Sequence, residues 1–322
     1  MIYTEIVGTG SYVPKKVVTN TDLEQVVDTS DAWIQSRTGI VKRHMTELEN
    51  TSDLAYKAAL NAMEDAQIQP DMIDLLIVAT VTPDAPFPAV SQMLQHRLKL
   101  NEITAFDINA ACSGFVYALN VADKMIQSGA YQTALIIGAE TLSKYTDFKD
   151  RNTCILFADA AGAMIIKASD KRKIRSIVTY SKGDYEGLLS MEGYPLKVNY
   201  STPTQPRPFI QMQGTEVFKF ATKVLPKTVI KLLENENMTL NELSLIVAHQ
   251  ANRRIIDYAA KILKFPLEKM YVNIDRYGNT SAASVPLAID EAIKTGALKK
   301  NDVFITVAFG AGLTWGGALI EL

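Results

Sequence analysis

The chain carries little cysteine and little histidine. Its 322 residues contain two thiols, Cys112 and Cys154. That is too few for a disulfide framework and suits a reducing compartment. Three histidines, His44, His96 and His249, confine any imidazole chemistry to those positions. No charge of one sign dominates: the formal net charge is −2 and the isoelectric point is near 6.0. Nothing in bulk therefore attracts nucleic acid. No uncharged apolar run approaches the ~18 residues of a membrane helix. The opening residues, MIYTEIVGTGSYVPKK, lack a charged segment followed by a long apolar one, so no secretory leader is expected. A cytoplasmic protein without nucleic-acid or membrane partners is the expectation.

With 48% hydrophobic and 21% charged residues, the chain can bury two sizeable cores. Short β-type runs alternate with helical periodicity. LLIVAT (75–80), ITAFDI (103–108), TALIIGA (133–139) and AGAMII (161–166) are expected strands. So are LSLIVAH (243–249), MYVNI (270–274), VFITVAF (303–309) and GGALIEL (316–322). SDLAYKAALNAMEDA (52–66) and SGFVYALNVADKMIQSG (113–129) space their apolar residues as helices do. The class is α/β with largely buried sheets. GTGSYV, Gly8 to Val13, hints at a dinucleotide fingerprint, but its third glycine is missing and Pro14 follows in place of a helix. No such cofactor site is expected.

The chain is written twice. Ile126 to Ala130, IQSGA, echoes Ile293 to Ala297, IKTGA, at an offset of 167 residues. The same offset sets Cys112 against Asn279 in YGNTSAAS. LIVA at 76–79 recurs at 245–248, an offset of 169, and His249 follows the second copy. Two halves are expected, 1–171 carrying Cys112 and 172–322 carrying His249 and Asn279. The prolines and glycines of 183–208 predict an irregular stretch, either a cover over a substrate pocket or an oligomer contact.

Cys112 stands just before an expected helix, whose free N–H groups and positive end favour a thiolate. Its small neighbours Ala110, Ala111, Ser113 and Gly114 leave room for a covalent nucleophile. The plainer reading of such a cysteine is core packing. Ser113 is the rival nucleophile, without a G-x-S-x-G elbow around it. His249 reads as a core histidine or a hydrogen-bond donor, and Asn279 as a helix cap or a donor. A Cys–His pair alone would suggest hydrolysis. Neutral His and Asn aimed at one carbonyl oxygen would instead stabilise an enolate formed from a thioester. Gly310, Ala311 and Gly312 read as an oxyanion turn or as a simple strand crossing. Cys154, in NTCILF, reads as a structural thiol in a buried strand.

Six segments in order then carry a resemblance: WIQSRTGIVKRH, DINAACSGF, FADAAGAMI, AHQAN, YGNTSAAS and FGAGLTWGG. Together they resemble the β-ketoacyl-acyl carrier protein synthases III, thiolase-like condensing enzymes, over essentially the whole chain. The resemblance implies a duplicated, five-layered αβαβα fold and a homodimer. It implies acyl-CoA and malonyl-acyl carrier protein as substrates, with no cofactor or metal. Cys112 would take the acyl group, its oxyanion held by the amides of Cys112 and Ala311. His249 and Asn279 would hold the malonyl thioester oxygen while carbon dioxide leaves. Trp33, Arg37 and Arg151 would bind CoA, and Arg253 and Arg254 would dock the acidic carrier protein. Phe87 would reach the neighbouring subunit's acyl pocket, lined by Leu142, Phe157, Met212 and Phe309. Ala311 stands where related enzymes often have glycine. A thiolase would need a second cysteine in the last turn, and an elongating synthase a histidine at position 279. An acyltransferase or ketosynthase of secondary metabolism shares Cys, His and Asn, whereas a non-catalytic subunit should have lost the nucleophile.

Overall fold

The apolar runs of the first half are covered on both faces, and this makes them sheet. In the computed structural model, which describes residues 1–184, 186–191 and 209–322, β1 (Tyr3–Tyr12) leads into a short ribbon of β2 (Val17–Thr19) and β3 (Lys42–His44). Four further strands follow: β4 (Leu75–Ala79), β5 (Thr104–Ile108), β6 (Thr133–Thr141) and β7 (Asp159–Ser169). They join β1 in a five-stranded sheet of order β1-β7-β6-β4-β5. β4 runs parallel to β5 and β6, and β7 runs antiparallel to β6 and β1.

The second half repeats the design. β8 (Ile174–Ser181), β11 (Leu245–Ala248), β12 (Val303–Gly310) and β13 (Thr314–Glu321) form a sheet of order β11-β12-β13-β8. Between β8 and β11, β9 (Leu189–Met191) and β10 (Ile210–Met212) make a second small ribbon. The boundary expected at 171 falls in the turn between β7 and β8.

Alternation along β4 sorts the layers. Leu75 and Ile77 point into a core shared by both halves, with Phe115, Leu119, Val247, Val285, Ile289 and Phe304. Leu76 and Val78 point the other way, onto the helix Thr51–Ala66. The helices Gly114–Gln127 and Ser284–Lys294 therefore lie between the sheets. Gly214–Glu236 and Arg253–Leu263 cover the outer face of the second sheet. The result is the expected five-layered αβαβα arrangement. Among the described residues no helix is long and apolar enough to cross a membrane.

The duplication obeys an offset of 170, which corrects the expected pairing. Leu75 pairs with Ala134, and Leu245 with Phe304, each 170 residues on. The one-turn helices Ala111–Ser113 and Ser281–Ala283 correspond in the same way. Cys112 therefore answers to Ala282, and Asn279 to Asn109. The motif offset of 167 arises because Gly114–Gln127 has 14 residues and Ser284–Lys294 has 11.

Other expectations also shift. MYVNI is no strand beyond one isolated bridge from Met270 to Ile246. The N–H groups of Asn273 and Ile274 donate instead to the Gln250 side chain, at 3.1 and 3.2 Å. Cys154 ends a one-turn helix, Arg151–Cys154, and is fully buried. GTGSY lies inside β1, where Gly8 and Gly10 let the Thr51–Ala66 helix approach: a Cβ on Gly10 would stand 2.3 Å from the Ala62 nitrogen.

Gly138 on β6 is the matching point between halves, since a Cβ there would stand 2.3 Å from the Ala282 carbonyl oxygen. Backbone offers no easy escape from that clash. Gly138→Ala is expected to cost about 1–3 kcal/mol, in the range of overpacked cores. Chemical unfolding of the variant beside the parent measures it, and an unmoved midpoint would count against this junction.

Candidate active site

The Cys112 turn is set by an asparagine two residues earlier. Asn109 Oδ1 accepts the Ala111 N–H at 3.1 Å, and Ala111 sits in the left-handed region at φ 47°. A non-glycine residue there is uncommon and worth a functional question. Cys112 follows on the one-turn helix, 7% exposed. On its other side a Cβ on Gly310 would stand 2.6 Å from the Cys112 nitrogen, so only glycine fits that close approach.

Asn279 uses the same device in the other half. Its Oδ1 accepts the Ser281 N–H at 3.0 Å, and Ser281 has φ 48°. The Asn279 backbone is pinned on both sides, donating to the Leu156 carbonyl and accepting from Ala158, both at 2.9 Å. Its Nδ2 has no protein partner among the described residues and is left for a ligand.

His249 directly follows β11, and its N–H donates to the Val307 carbonyl at 2.7 Å. Its Nδ1 lies 2.6 Å from Ser284 Oγ, and its ring meets Phe309 edge-on, centroids 5.2 Å apart. Burial pushes the imidazole down to about 3, so it is neutral at ordinary pH. In the tautomer where the serine hydroxyl donates to Nδ1, the hydrogen sits on Nε2, which has no protein partner among the described residues.

Cys112, His249 and Asn279 line one cavity of about 460 Å³. Phe157, Met212 and Phe309 line it too, as does Gly310, while Trp33, Arg37 and Arg254 line its outer part. Leu189 of the β9–β10 ribbon also contributes. Of the irregular stretch expected at 183–208, Leu189–Met191 is strand β9, and residues 185 and 192–208 lie outside the described residues.

Several expected residues stand elsewhere. Leu142 is 2% exposed and packs behind the cavity with Phe157 and Met212. Phe87 is 85% exposed and takes no part in the cavity wall of this chain. Arg151 lies over the Trp33 ring at 4.7 Å, with its neighbour Asn152 in the cavity wall. Arg253 is paired with Asp257 at 2.6 Å, which leaves Arg254 as the arginine of that pair facing the cavity. Ala311 lies one residue beyond the cavity-lining Gly310, its carbonyl accepting from Thr314 Oγ1 at 2.9 Å. Ser113 is fully buried, its hydroxyl shared between the Ala110 carbonyl at 2.7 Å and Thr314 Oγ1 at 2.8 Å. That removes it as a nucleophile.

The expected thiolate is not what the surroundings favour. Burial pushes the Cys112 thiol up to about 11, while a Ser281 hydrogen bond works against this and the nearby Glu140 charge adds to it. The regular helix begins only at Gly114, two residues on.

Glu140 is the residue that sequence reading passed over. It is fully buried, and burial raises its carboxyl to about 7. It accepts from Thr82 Oγ1 at 2.6 Å, Val81 N–H at 3.2 Å, Ser281 Oγ at 3.2 Å and Thr80 Oγ1 at 3.3 Å. The signal was a carboxylate closing the apolar run TALIIGAE.

Comparison with known proteins agrees with this architecture. The family model for 3-oxoacyl-[acyl-carrier-protein (ACP)] synthase III matches residues 106–183, and that for its C-terminal part matches residues 233–322. A β-ketoacyl-[acyl-carrier-protein] synthase III of Clostridium acetobutylicum is 47% identical over 318 residues, 98% of each chain. One from Xanthomonas campestris pv. campestris is 47% identical over 321 residues, covering 99% of this chain and 98% of that one. The crystal structure of 3-oxoacyl-[acyl-carrier-protein] synthase III from Aquifex aeolicus VF5 superposes with a TM-score of 0.93 at 44% identity, over 99% of this chain and 100% of the other. The chain belongs to the β-ketoacyl-acyl carrier protein synthase III family of thiolase-like condensing enzymes.

Proposed function

We propose that this enzyme starts fatty acid synthesis by joining a short acyl-CoA primer to malonyl-acyl carrier protein. One observation carries the reading: two neutral side chains with unused donors, His249 and Asn279, share a cavity with a cysteine. The Cys112 sulfur attacks the primer thioester, CoA leaves, and the acyl group stays on sulfur. The amides of Cys112 and Ala311 hold the oxyanion. The malonyl thioester then enters, and His249 Nε2 and Asn279 Nδ2 donate to its carbonyl oxygen. Loss of carbon dioxide leaves an electron pair that is delocalised onto that oxygen. Two donors held in place stabilise it without reorganising. No strong base is required, so a histidine kept neutral by burial suits the step. The enolate attacks the acyl-cysteine, and a β-ketoacyl-acyl carrier protein departs.

The outer part of the cavity suits CoA. Trp33, with the Arg151 guanidinium beside its ring, offers an aromatic face for adenine, and Arg37 offers a charged fork for phosphate. Arg254, with Arg253 beside it, suits the acidic carrier protein. Phe157, Met212 and Phe309 give the acyl chain an apolar wall, with Leu142 packed behind it. The exposed Phe87 is suited to insertion into a second copy, in a cytoplasmic homodimer.

Intact mass spectra after incubation with acetyl-, isobutyryl- and longer acyl-CoAs test the reading. An adduct is expected, and malonyl-acyl carrier protein should discharge it as a β-ketoacyl carrier protein. An adduct that malonyl-acyl carrier protein leaves in place would overturn condensation in favour of simple acyl transfer.

A further inference from the structure

Among the described residues the bulkiest fully buried side chain is a cation. Arg43, at the centre of β3 opposite Val18 of β2, is 0% exposed. Its hydrogen bonds all go to neutral oxygens: the Val18 carbonyl at 3.2 Å, Asn20 Oδ1 at 2.8 Å and the Ile155 carbonyl at 3.0 Å. Its Nε is buried and has no partner among the described residues. Burial pulls the guanidinium down to about 10, so it stays charged near neutrality. A buried charge without a close counter-charge weakens a fold, and an apolar side chain of similar volume would fill the space without that penalty. Three segments meet on this guanidinium, and two of them lead to the cavity.

One arm reaches the condensation site. The Ile155 carbonyl opens the run Ile155, Leu156 and Phe157, all in the cavity wall. That run grips Asn279. The Leu156 carbonyl accepts the Asn279 N–H, the Ala158 N–H donates to the Asn279 carbonyl, both at 2.9 Å, and Phe157 bridges to Asn279. Gly278, at φ 68°, lets the pieces close: a Cβ there would stand 3.1 Å from the Leu156 carbonyl oxygen and 3.2 Å from Arg43 Cβ. Arg43 thus abuts the turn whose partner strand it holds.

The other arm reaches the CoA end. Asn20 Nδ2 donates to the Ile40 carbonyl at 2.7 Å and to Asp31 Oδ1 at 2.8 Å. Asp31 opens the helix Asp31–Thr38, whose Trp33 and Arg37 line the outer cavity. The Cys112 turn is set separately, by Asn109 and by the close approach of Gly310.

We propose that Arg43 is a positioning residue for condensation: through the Ile155 carbonyl it fixes the segment on which Asn279 is mounted, and so aims the Asn279 amide at the malonyl thioester oxygen. A planar fork whose donors point apart can span separate segments, and an ammonium cannot. Aim matters because a misplacement of about 1 Å can cost about 100-fold in rate. The proposal rests on Asn279 serving that oxygen.

The test separates loading from discharge in the full-length enzyme. Arg43→Met removes the charge and every donor at nearly the same length. Malonyl-dependent discharge of its acyl-enzyme should slow about 10- to 100-fold, while acylation at saturating acyl-CoA stays within about threefold of the parent. The half-saturating acyl-CoA concentration should rise, through the loosened Asn20. Arg43→Lys keeps the charge and should show the same split with a loss of about 3- to 10-fold; it decides the matter if the methionine variant does not fold. A double-mutant cycle supplies a readout that general loosening would not give. In an Asn279→Ala enzyme, Arg43→Met should slow discharge by less than about threefold further, because its effect runs through the missing amide. Equal losses in loading and discharge, or losses that multiply in the double variant, would overturn the proposal. So would discharge by Arg43→Met at the parent rate while Asn279→Ala is slow. Discharge by Asn279→Ala at the parent rate would instead overturn the donor reading on which the proposal rests.

Discussion

Cys112→Ser should neither hold an acyl group at residue 112 nor condense, with turnover falling about 10⁴-fold, the scale seen when one member of a catalytic set is removed. Serine has nearly the same shape, and Gly310 leaves the same close approach, so the turn should form unchanged. What is lost is nucleophilicity: a hydroxyl needs far stronger activation than a thiol. The local activators are modest, because Cys112 is itself a buried neutral thiol and depends on the groups around it. The comparison with Cys112→Ala is informative. Alanine removes the nucleophile and leaves His249 and Asn279 on their own turns in the other half. Steady-state condensation and intact mass read both variants. A serine enzyme within about tenfold of the parent would remove Cys112 from the centre of the chemistry.

The sequence was most legible where burial on both faces wrote continuous apolar runs. β4, β6 and β12 lie close to where LLIVAT, TALIIGA and VFITVAF place them. It misled where a side chain did the work of a strand. Gln250 satisfies the backbone of Asn273 and Ile274, and no periodicity announces that. The duplication was visible, but its phase was not, because the second inner helix is three residues shorter than the first. The correct phase changes the chemistry of the comparison. Asn109 and Asn279 are the matched pair, each holding a left-handed residue two places on. Asn279 is thus a turn-forming residue whose spare amide hydrogens face the cavity. Glu140 stayed hidden because a carboxylate at a strand end reads as surface. Only the three-dimensional meeting of the segment after β4 with the Ser281 turn buries it. The charge state of Cys112 was equally out of reach, since helix position was readable and desolvation was not.

That double use of Asn279 separates its two duties by mutation. Asn279→Asp keeps an oxygen to accept the Ser281 N–H, so the turn should survive, but it removes the donor and sets a negative charge beside a developing enolate. Asn279→Ala removes both. Each should cut condensation by about 10²–10³-fold, the cost of one lost oxyanion donor, while acylation of Cys112 falls far less. His249→Ala should give a loss of the same order, and the double variant should lose less than the product of the two, because both donors serve one oxygen. Single-turnover acylation and malonyl-dependent discharge, measured separately, distinguish these effects. Equal losses in both steps would mean that the donors shape the whole cavity and do not serve the enolate alone. The pH dependence follows with its own sign. The unfolded chain protonates His249 near 6.5, whereas the folded chain resists until about 3. Burial of His249 therefore subtracts stability progressively as pH falls from about 6.5 towards 3, and leaves it untouched above. Acid should end condensation by unfolding the enzyme before it charges the imidazole. A stopped-flow discharge rate that stays flat down to the onset of unfolding would bear this out, whereas a fall near pH 6.5 with the fold intact would show that His249 is more exposed to protons than its burial implies.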